Sequence, residues 1–207
     1  MGQPQIILYV VRHGQTVLNK QNSFRGPLNI DLDKTGWQQA NKLKEYFSGV
    51  EFSHVFSSPK KRSVDTANKI LEGRNQKPVI NENLQALNVG DLAGKEKTPE
   101  TDAIVEFHFQ NPDIPMPGGE SFNDFKSRVN PLLKEAIEIG LQEENPVLLS
   151  VHSSIIHELG YLIGGHHTYC LVEPGGVSAV YIQDGELDAE PVYRAKEEKV
   201  DRSTAIT

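Results

Sequence analysis

The chain has 207 residues, a formal net charge of −7 and one cysteine, Cys170. This length suits one domain with a substantial core, and a lone cysteine excludes an intrachain disulfide and a cysteine metal cluster. An acidic surface argues against nucleic acid and membranes as partners, although a local cationic pocket can still bind a phosphorylated small molecule. We find no signal peptide and no apolar run of transmembrane length, so we expect a cytoplasmic protein.

The first predicted element is a strand over residues 6–11, which are apolar and rich in β-branched side chains. The strand ends in Arg12, His13 and Gly14. In an open α/β sheet, ligands bind beyond the carboxyl ends of the strands. A cation and an imidazole at that position suit an anionic substrate and a nucleophile.

A long polar connection over residues 18–34 follows this strand, and loops of this length are often functional. Thr35 and Gln38 have the spacing of a capping box, which predicts that the next helix begins at Thr35. Gly49 is expected to end that helix.

A second strand is predicted around residues 55–56. Ser58 is expected to cap the following helix, with Pro59 at its first position and Arg62 in its first turn. Residues 78–80 suit a short edge strand because Pro78 lacks a backbone donor.

Further along the chain, a helix is predicted to open at residues 98–100, and Ser121 is expected to cap a long helix. Residues 146–151 indicate a fully buried strand that ends at His152, as the first strand ends at His13. A hairpin is predicted around residues 184–185.

Strands alternate with helices over most of the chain, so we predict an α/β three-layer sandwich. Its sheet should be mostly parallel, with helices on both faces. No linker or repeat divides the sequence, and residues 1–207 are therefore expected to form a single domain. Within it, residues 95–130 form a candidate lid and residues 196–207 a polar tail.

Two histidines at strand ends and two arginines nearby match the requirements of phosphoryl transfer. A neutral His13 can attack phosphorus through one ring nitrogen while the other donates a hydrogen bond. Arg12 and Arg62 can each offer forked donors to phosphate oxygens, and His152 can donate one more hydrogen bond.

Several stretches of the chain resemble, in order, the motifs of the histidine phosphatase superfamily, the phosphoglycerate-mutase-like proteins. The first has the pattern Arg-His-Gly-Gln-Thr-x-x-Asn and the last ends in the second histidine. The matching stretches are residues 12–19, 25–32, 36–40, 57–67, 117–121 and 150–152. Their order and number make the match specific.

The resemblance implies a phosphoglycerate-mutase-like fold and a covalent phosphohistidine on His13. It implies a phosphate pocket around that residue and no metal or other cofactor. The residues that would form the pocket are Arg12, Arg62 and His152. The residues that would lie near the substrate are Asn19, Arg25 and Gly26.

One departure from the family pattern concerns the general acid. Members of the family have a glutamate four residues before a glycine. In this chain the glycine is Gly90, and Ala86 occupies the position of the glutamate. A methyl group cannot protonate a leaving oxygen. Asp91 is the nearest carboxylate and our candidate acid, with Glu82 second; alternatively, the substrates have leaving groups that need little protonation. Ser153 replaces the usual glycine after the second histidine, which is a milder departure.

These observations leave three hypotheses. The first is a phosphatase that hydrolyses phosphomonoesters through phosphohistidine. The second is a phosphoglycerate-type mutase, and the third is a protein that binds phosphorylated ligands with weak turnover because of Ala86. His166 and His167 lack the carboxylate or thiol spacing of a metal site and are expected to lie in a polar loop. The sequence indicates neither the natural substrate nor the oligomeric state.

Overall fold

A computed structural model describes residues 4–164 and 172–195 of the chain. Its six strands form one sheet in the order β3-β2-β4-β1-β5-β6. The strands are β1 (Gln5–Arg12), β2 (Val55–Ser57), β3 (Val79–Ile80), β4 (Val147–Val151), β5 (Val177–Gln183) and β6 (Glu186–Tyr193). The helices are α1 (Val17–Lys20), α2 (Lys34–Tyr46), α3 (Lys61–Ile70), α4 (Pro99–Gln110), α5 (Phe122–Gln142) and α6 (Ser153–Gly164).

The sheet is mostly parallel, which confirms the predicted fold class. Strand β1 pairs in parallel with β4, β4 with β2, and β2 with β3. The remaining strands β5 and β6 form the predicted hairpin and pair antiparallel, with β5 against β1. Parallel strands place their carboxyl ends on one edge, so β1, β4 and β2 all end at the same edge of the sheet.

The apolar character of β1 follows from its position in the middle of the sheet. Val10 faces one core cluster with residues of α5 and α6, whereas Tyr9 and Val11 face a second cluster with Leu43 and Phe47 of the α2 region. A strand covered by helices on both faces needs apolar residues at every position. The apolar side chains on both faces of β1 therefore indicate a layer of helices on each side of the sheet.

Two predicted helix starts are wrong. Helix α2 begins at Lys34 and not at Thr35, because Asp33 caps it by accepting a hydrogen bond from Gly36 N (2.8 Å). Helix α3 begins at Lys61, two residues after Pro59. Lys60 and not Ser58 is the N-cap of this helix; the Ser58 hydroxyl accepts from Lys60 N (3.3 Å) and also contacts a histidine of the site described below.

Helix α5 crosses β1 at Gly140, where a Cβ would lie 2.2 Å from Ile7 O. We expect Gly140→Ala to lower the free energy of unfolding by about 1–3 kcal/mol, because this overpacking outweighs the gain of about 1 kcal/mol in helix propensity. Urea denaturation measures the change. Gly49→Ala is the matched control, because a Cβ there meets nothing within 4 Å. Equal stability of the two variants would contradict the close crossing.

Several predictions fall outside the described residues: the tail over 196–207, Cys170, and the His166–His167 loop. Within the described ranges, no helix is long and apolar enough to cross a membrane. The candidate lid contains α4, the turn before α5 and the first part of α5. Met116 in this segment is buried, whereas Phe107 and Phe109 are 53% and 39% exposed and are not core residues.

Candidate active site

Three parallel strand ends bring the predicted residues together. His13 follows β1 and its N–H donates to Val151 O of β4 (3.1 Å). His152 follows β4, and Ser58 follows β2 with its N–H donating to Ser150 O (3.1 Å). The imidazole rings of His13 and His152 lie 5.2 Å apart between centroids. The order of the strands in the sheet thus builds a two-histidine site at one edge.

The loop after His13 is fixed by close backbone packing against α2. A Cβ on Gly14 would lie 2.6 Å from Gly36 O, and a Cβ on Gly36 would lie 2.1 Å from Gln15 O. Both positions therefore require glycine. Gly14 N also donates to Thr66 Oγ1 (3.1 Å) of α3. These contacts hold the backbone next to His13 against α2 and α3.

The hydrogen bonds of His13 define its tautomer. Its Nδ1 lies 2.8 Å from Gly14 O, a carbonyl oxygen that can only accept, so Nδ1 carries the proton. Its Nε2 accepts a hydrogen bond from Arg62 Nε (3.2 Å). The lone pair on Nε2 therefore points toward a guanidinium group, where the oxygens of a phosphate would be bound.

His152 has a different partner. Its Nε2 lies 2.7 Å from Ser58 Oγ, and its Nδ1 is buried without a hydrogen-bond partner among the described residues. If the Ser58 hydroxyl donates to Nε2, the proton of His152 lies on Nδ1 and is available to an anion. The residue expected to cap a helix thus orients the second histidine.

Buried positive charge dominates the site. Burial, and secondarily Arg25, lowers the pKa of Arg12 to about 10 and that of Arg62 to about 9. Burial also lowers the pKa of Arg25 itself. All three guanidinium groups remain protonated near neutral pH. Arg12 Nε is buried without a partner in the part of the chain that the structure describes, although Arg12 Nη1 donates to Val172 O (2.8 Å). Unpartnered buried donors and clustered cations suit a bound anion such as phosphate.

Arg62 also ties the loop between β1 and α2 to the site. Its Nη1 donates to Leu28 O (2.6 Å) and its Nη2 to Gly26 O (3.3 Å). Gly26 has a φ of +44°, and a Cβ there would lie 2.7 Å from Val89 Cγ2. Arg25 and Gly26 both line the cavity beside His13. The predicted substrate residues of this loop, apart from Asn19, therefore lie at the site.

Both histidines of the site are held neutral. Burial, followed by Arg62, keeps the pKa of each well below the ordinary value of 6.5. At any pH between the pKa values that these two histidines have in the folded and in the unfolded chain, the unfolded chain binds more protons than the folded chain. We therefore expect the free energy of unfolding contributed by His13 and His152 to be fully present above pH 6.5 and to be lost as the pH falls below it.

Urea denaturation at about pH 7 and about pH 5 tests this expectation. The double variant His13→Gln with His152→Gln should lose less stability on acidification than the parent chain. The exposed His54 offers a matched control in His54→Gln, which should keep the acid sensitivity of the parent. An unchanged acid sensitivity in the double variant would contradict burial of neutral imidazoles.

Three predicted site residues are not among those that line the cavity: Arg12, Asn19 and Asp91. Asn19 Oδ1 accepts from Thr16 N (3.1 Å) and Thr16 Oγ1 (2.8 Å), so its carbonyl stabilises the turn after His13. Asp91 is exposed and its carboxylate lies against Gly118, because the turn at Gly90 directs it away from the cavity. The prediction of Asp91 as the acid is therefore not supported by its position. Glu82 is also exposed and accepts a hydrogen bond from Gln85 Nε2 (2.8 Å).

The cavity beside the two histidines contains further residues that the sequence did not single out. Lys97 lines it, and burial and then Arg25 lower the pKa of this lysine. Ser58 does not line the cavity but contacts His152. Lys97 has no local sequence signal, because lysines in loops are common, and Ser58 lies in the matching stretch 57–67 but was expected only to cap a helix. Among the described residues, no three histidine, cysteine or acidic side chains are grouped as metal ligands.

Comparison with protein families agrees with this geometry. Residues 8–186 match the model of the family described as "Histidine phosphatase superfamily (branch 1)". The match covers the strand ends that provide His13 and His152, and it extends into β6.

Individual relatives include mutases and phosphatases. A 2,3-bisphosphoglycerate-dependent phosphoglycerate mutase of Allorhizobium ampelinum is 34% identical over 163 residues, covering 73% of this chain and 76% of its own. A Hydrogenobacter thermophilus protein, provisionally named phosphoserine phosphatase 2, is 29% identical over 162 residues, covering 76% of this chain and 78% of its own. The structure of mycobacterial glucosyl-3-phosphoglycerate phosphatase superimposes with a TM-score of 0.74 at 22% sequence identity, covering 92% of this chain and all of its own. This similarity shows that the two proteins share a fold.

Proposed function

The chain belongs to branch 1 of the histidine phosphatase superfamily, and on that premise we propose that it hydrolyses phosphomonoesters through a phosphohistidine on His13. The observation that carries the proposal is the tautomer of His13. Its Nδ1–H is committed to Gly14 O, and its Nε2 lone pair faces Arg62 Nε at 3.2 Å. A neutral nucleophile beside fixed cations is what attack on a phosphate dianion needs.

In the first step, the lone pair of His13 Nε2 forms a bond to phosphorus and the bond from phosphorus to the leaving oxygen breaks. Arg62 Nε exchanges its contact with Nε2 for a phosphoryl oxygen, and Arg12 Nε and His152 Nδ1 donate to the other oxygens. In the second step, water attacks phosphorus, the bond from phosphorus to Nε2 breaks, its electron pair returns to His13, and both protons of the water leave with inorganic phosphate. The burial that keeps His13 neutral supports both steps.

The mutase relatives favour phosphoglycerate isomerisation as a second candidate. Ala86 argues against it, because that reaction releases an alkoxide that needs a proton, and Ala86 lines the cavity without one to give. Conversion of 3-phosphoglycerate in the presence of a bisphosphate primer tests this candidate. A protein that only binds phosphorylated ligands would show thermal protection by phosphate without turnover.

Trapping the intermediate tests the proposal. The enzyme is mixed with radiolabelled phenyl phosphate and quenched in denaturant within the first turnovers. We expect a protein-bound label that is stable to alkali and labile to acid, and peptide mapping at high pH should assign it to His13. The absence of a label together with measurable hydrolysis would exclude a phosphohistidine.

Residues 95–130 provide much of the cavity wall opposite the strand ends, through α4 and the start of α5. This position supports the proposal that the segment acts as a lid over the site within a single domain. A cytoplasmic location remains a prediction from the sequence.

A further inference from the structure

The cavity beside His13 has a volume of about 500 Å³ and two chemically different ends. The cationic end lies at the strand ends, with the guanidinium groups of Arg25 and Arg62. The other end is formed by three rings from three helices, Phe109 of α4, Phe122 of α5 and Tyr161 of α6, which we call the aromatic end. A cavity of this size holds a molecule much larger than phosphate.

The aromatic end is a built cluster. The rings of Phe109 and Phe122 meet edge to face with centroids 5.3 Å apart, and Phe109 lies 6.2 Å from Tyr161. Tyr161 lies about 12 Å further along α6 than Ser153, because each helical residue advances about 1.5 Å. The aromatic end is therefore separated from the phosphate end by the length of a small organic group.

The wall between the two ends is apolar and preformed. Ala86, Leu87 and Val89 line it. The backbone of this segment is held by Arg128, whose Nη2 donates to Ala86 O (3.0 Å), and by Ser154 Oγ, which accepts from Leu87 N (3.1 Å). Alanine at position 86 therefore both removes the acid and adds to the apolar surface of the cavity.

Charges near the aromatic end do not favour a second anionic group on the substrate. Two carboxylates line the cavity there: Glu106 of α4 and Glu158 of α6, which is 7% exposed and accepts from Asn130 Nδ2 (2.8 Å). One ammonium group, that of Lys126, lies 5.9 Å from the centre of the Tyr161 ring. With two carboxylates and one ammonium group, the aromatic end has no net positive charge, in contrast to the site around His13.

We propose that the substrate is the phosphate monoester of a phenol with an apolar substituent, bound with phosphate at His13, its ring against Ala86 and Leu87, and its substituent at the aromatic end. This inference rests on the proposed phosphohistidine mechanism and names the substrate class. Two features support it: the apolar residues that line the cavity, and the lack of a proton donor at position 86. A phenol has a pKa of about 10, whereas the pKa of an alcohol is much higher, so a phenolate leaves without the protonation that an alkoxide needs.

The chemical balance requires no additional reactant. When His13 Nε2 bonds to phosphorus, the bond to the phenolic oxygen breaks and its electron pair stays on the phenolate. The phenolate takes a proton from water outside the site. Water then attacks phosphorus, the bond to Nε2 breaks and restores its lone pair, and inorganic phosphate leaves with the protons of that water, one of which replaces the proton taken up by the phenolate. No side chain at position 86 has to donate a proton for the first step.

The test is kcat/KM for phenyl, 4-ethylphenyl and 4-butylphenyl phosphate. The leaving groups of this series have nearly equal acidity, so differences report contacts of the alkyl chain. We expect kcat/KM to rise by about threefold to fourfold for each methylene group that becomes buried. Hexyl phosphate, with an alkoxide leaving group, should be hydrolysed at least about 10²-fold more slowly than phenyl phosphate.

Two variants of α4 provide the matched comparison. Phe109→Ala should reduce the increase of kcat/KM with the length of the alkyl chain, because Phe109 contacts both other rings of the aromatic end. Phe107→Ala should leave it unchanged, because Phe107 lies on the same helix, is 53% exposed and does not line the cavity.

The outcomes separate the two proposals. Hydrolysis of phenyl phosphate that depends on His13 but does not change along the alkyl series overturns the substrate class and leaves the phosphohistidine mechanism intact. An equal loss of chain-length dependence in Phe107→Ala and Phe109→Ala also overturns it. No hydrolysis of any member overturns both proposals.

Discussion

Replacing Ala86 with glutamate is expected to raise kcat/KM for alkyl phosphates by about 10²–10⁴-fold, the range that a well-placed general acid contributes. Ala86 is 9% exposed and lines the cavity, so a longer side chain there extends toward the substrate. Burial would also raise the pKa of the new carboxyl group and keep it able to donate a proton. Phenyl phosphate should change little, because its leaving group departs without protonation. Steady-state kinetics with hexyl and phenyl phosphate measure both effects.

Ala86→Gln is the control for this gain. Glutamine has nearly the same size and polarity as glutamic acid but donates no proton to a leaving group. A similar increase in both variants would assign the effect to shape or binding. No increase for hexyl phosphate in Ala86→Glu, with the fold intact by circular dichroism, would contradict the view that a missing acid limits turnover.

His13→Gln is expected to lower kcat for phenyl phosphate by at least about 10⁴-fold, because the attacking nitrogen is removed. Arg12, Arg62 and His152 remain, so the variant should still bind inorganic phosphate. Turnover measurements and calorimetric titration with phosphate separate the two properties. His54→Gln, which alters an exposed histidine away from the cavity, serves as the control and should retain the full rate.

A His13→Gln variant that keeps more than about a hundredth of the rate would contradict covalent catalysis by this residue. Loss of both turnover and phosphate binding would instead indicate that the substitution disturbs the pocket. In that case, His13→Asn provides a second variant with a shorter side chain at the same position. Retained binding with lost turnover in either variant supports the nucleophilic role.

The position of Asp91 illustrates why a sequence alone cannot identify the proton donor. Asp91 follows Gly90 in the chain, but the positive φ of that glycine (+54°) turns the backbone, and the carboxylate faces Gly118 instead of the cavity. Distance along a loop therefore says little about the direction of a side chain. The carboxylates that do line the cavity, those of Glu106 and Glu158, belong to helices α4 and α6 and are distant in sequence from Ala86.

Helix starts illustrate a related point. Ser58 and Pro59 have the residue types of a helix start, and Ser58 would cap α3 in isolation. In the folded protein its hydroxyl lies 2.7 Å from His152 Nε2, and the helix begins at Lys61 without a side-chain cap. Ser58 Oγ still accepts from Lys60 N (3.3 Å), so a local contact persists beside the contact with a residue far away in the chain.

The sequence by itself determined the family, the alternation of strands and helices, and the two histidines at strand ends, because these properties depend on local apolar periodicity and on short ordered motifs. Only the tertiary structure decided that Arg62 Nε contacts His13 Nε2, that Ser58 orients His152, and that Phe109 and Tyr161 form an aromatic end opposite the cations. These contacts join residues from separate elements. Their geometry depends on how the helices pack on the sheet, which no local pattern specifies.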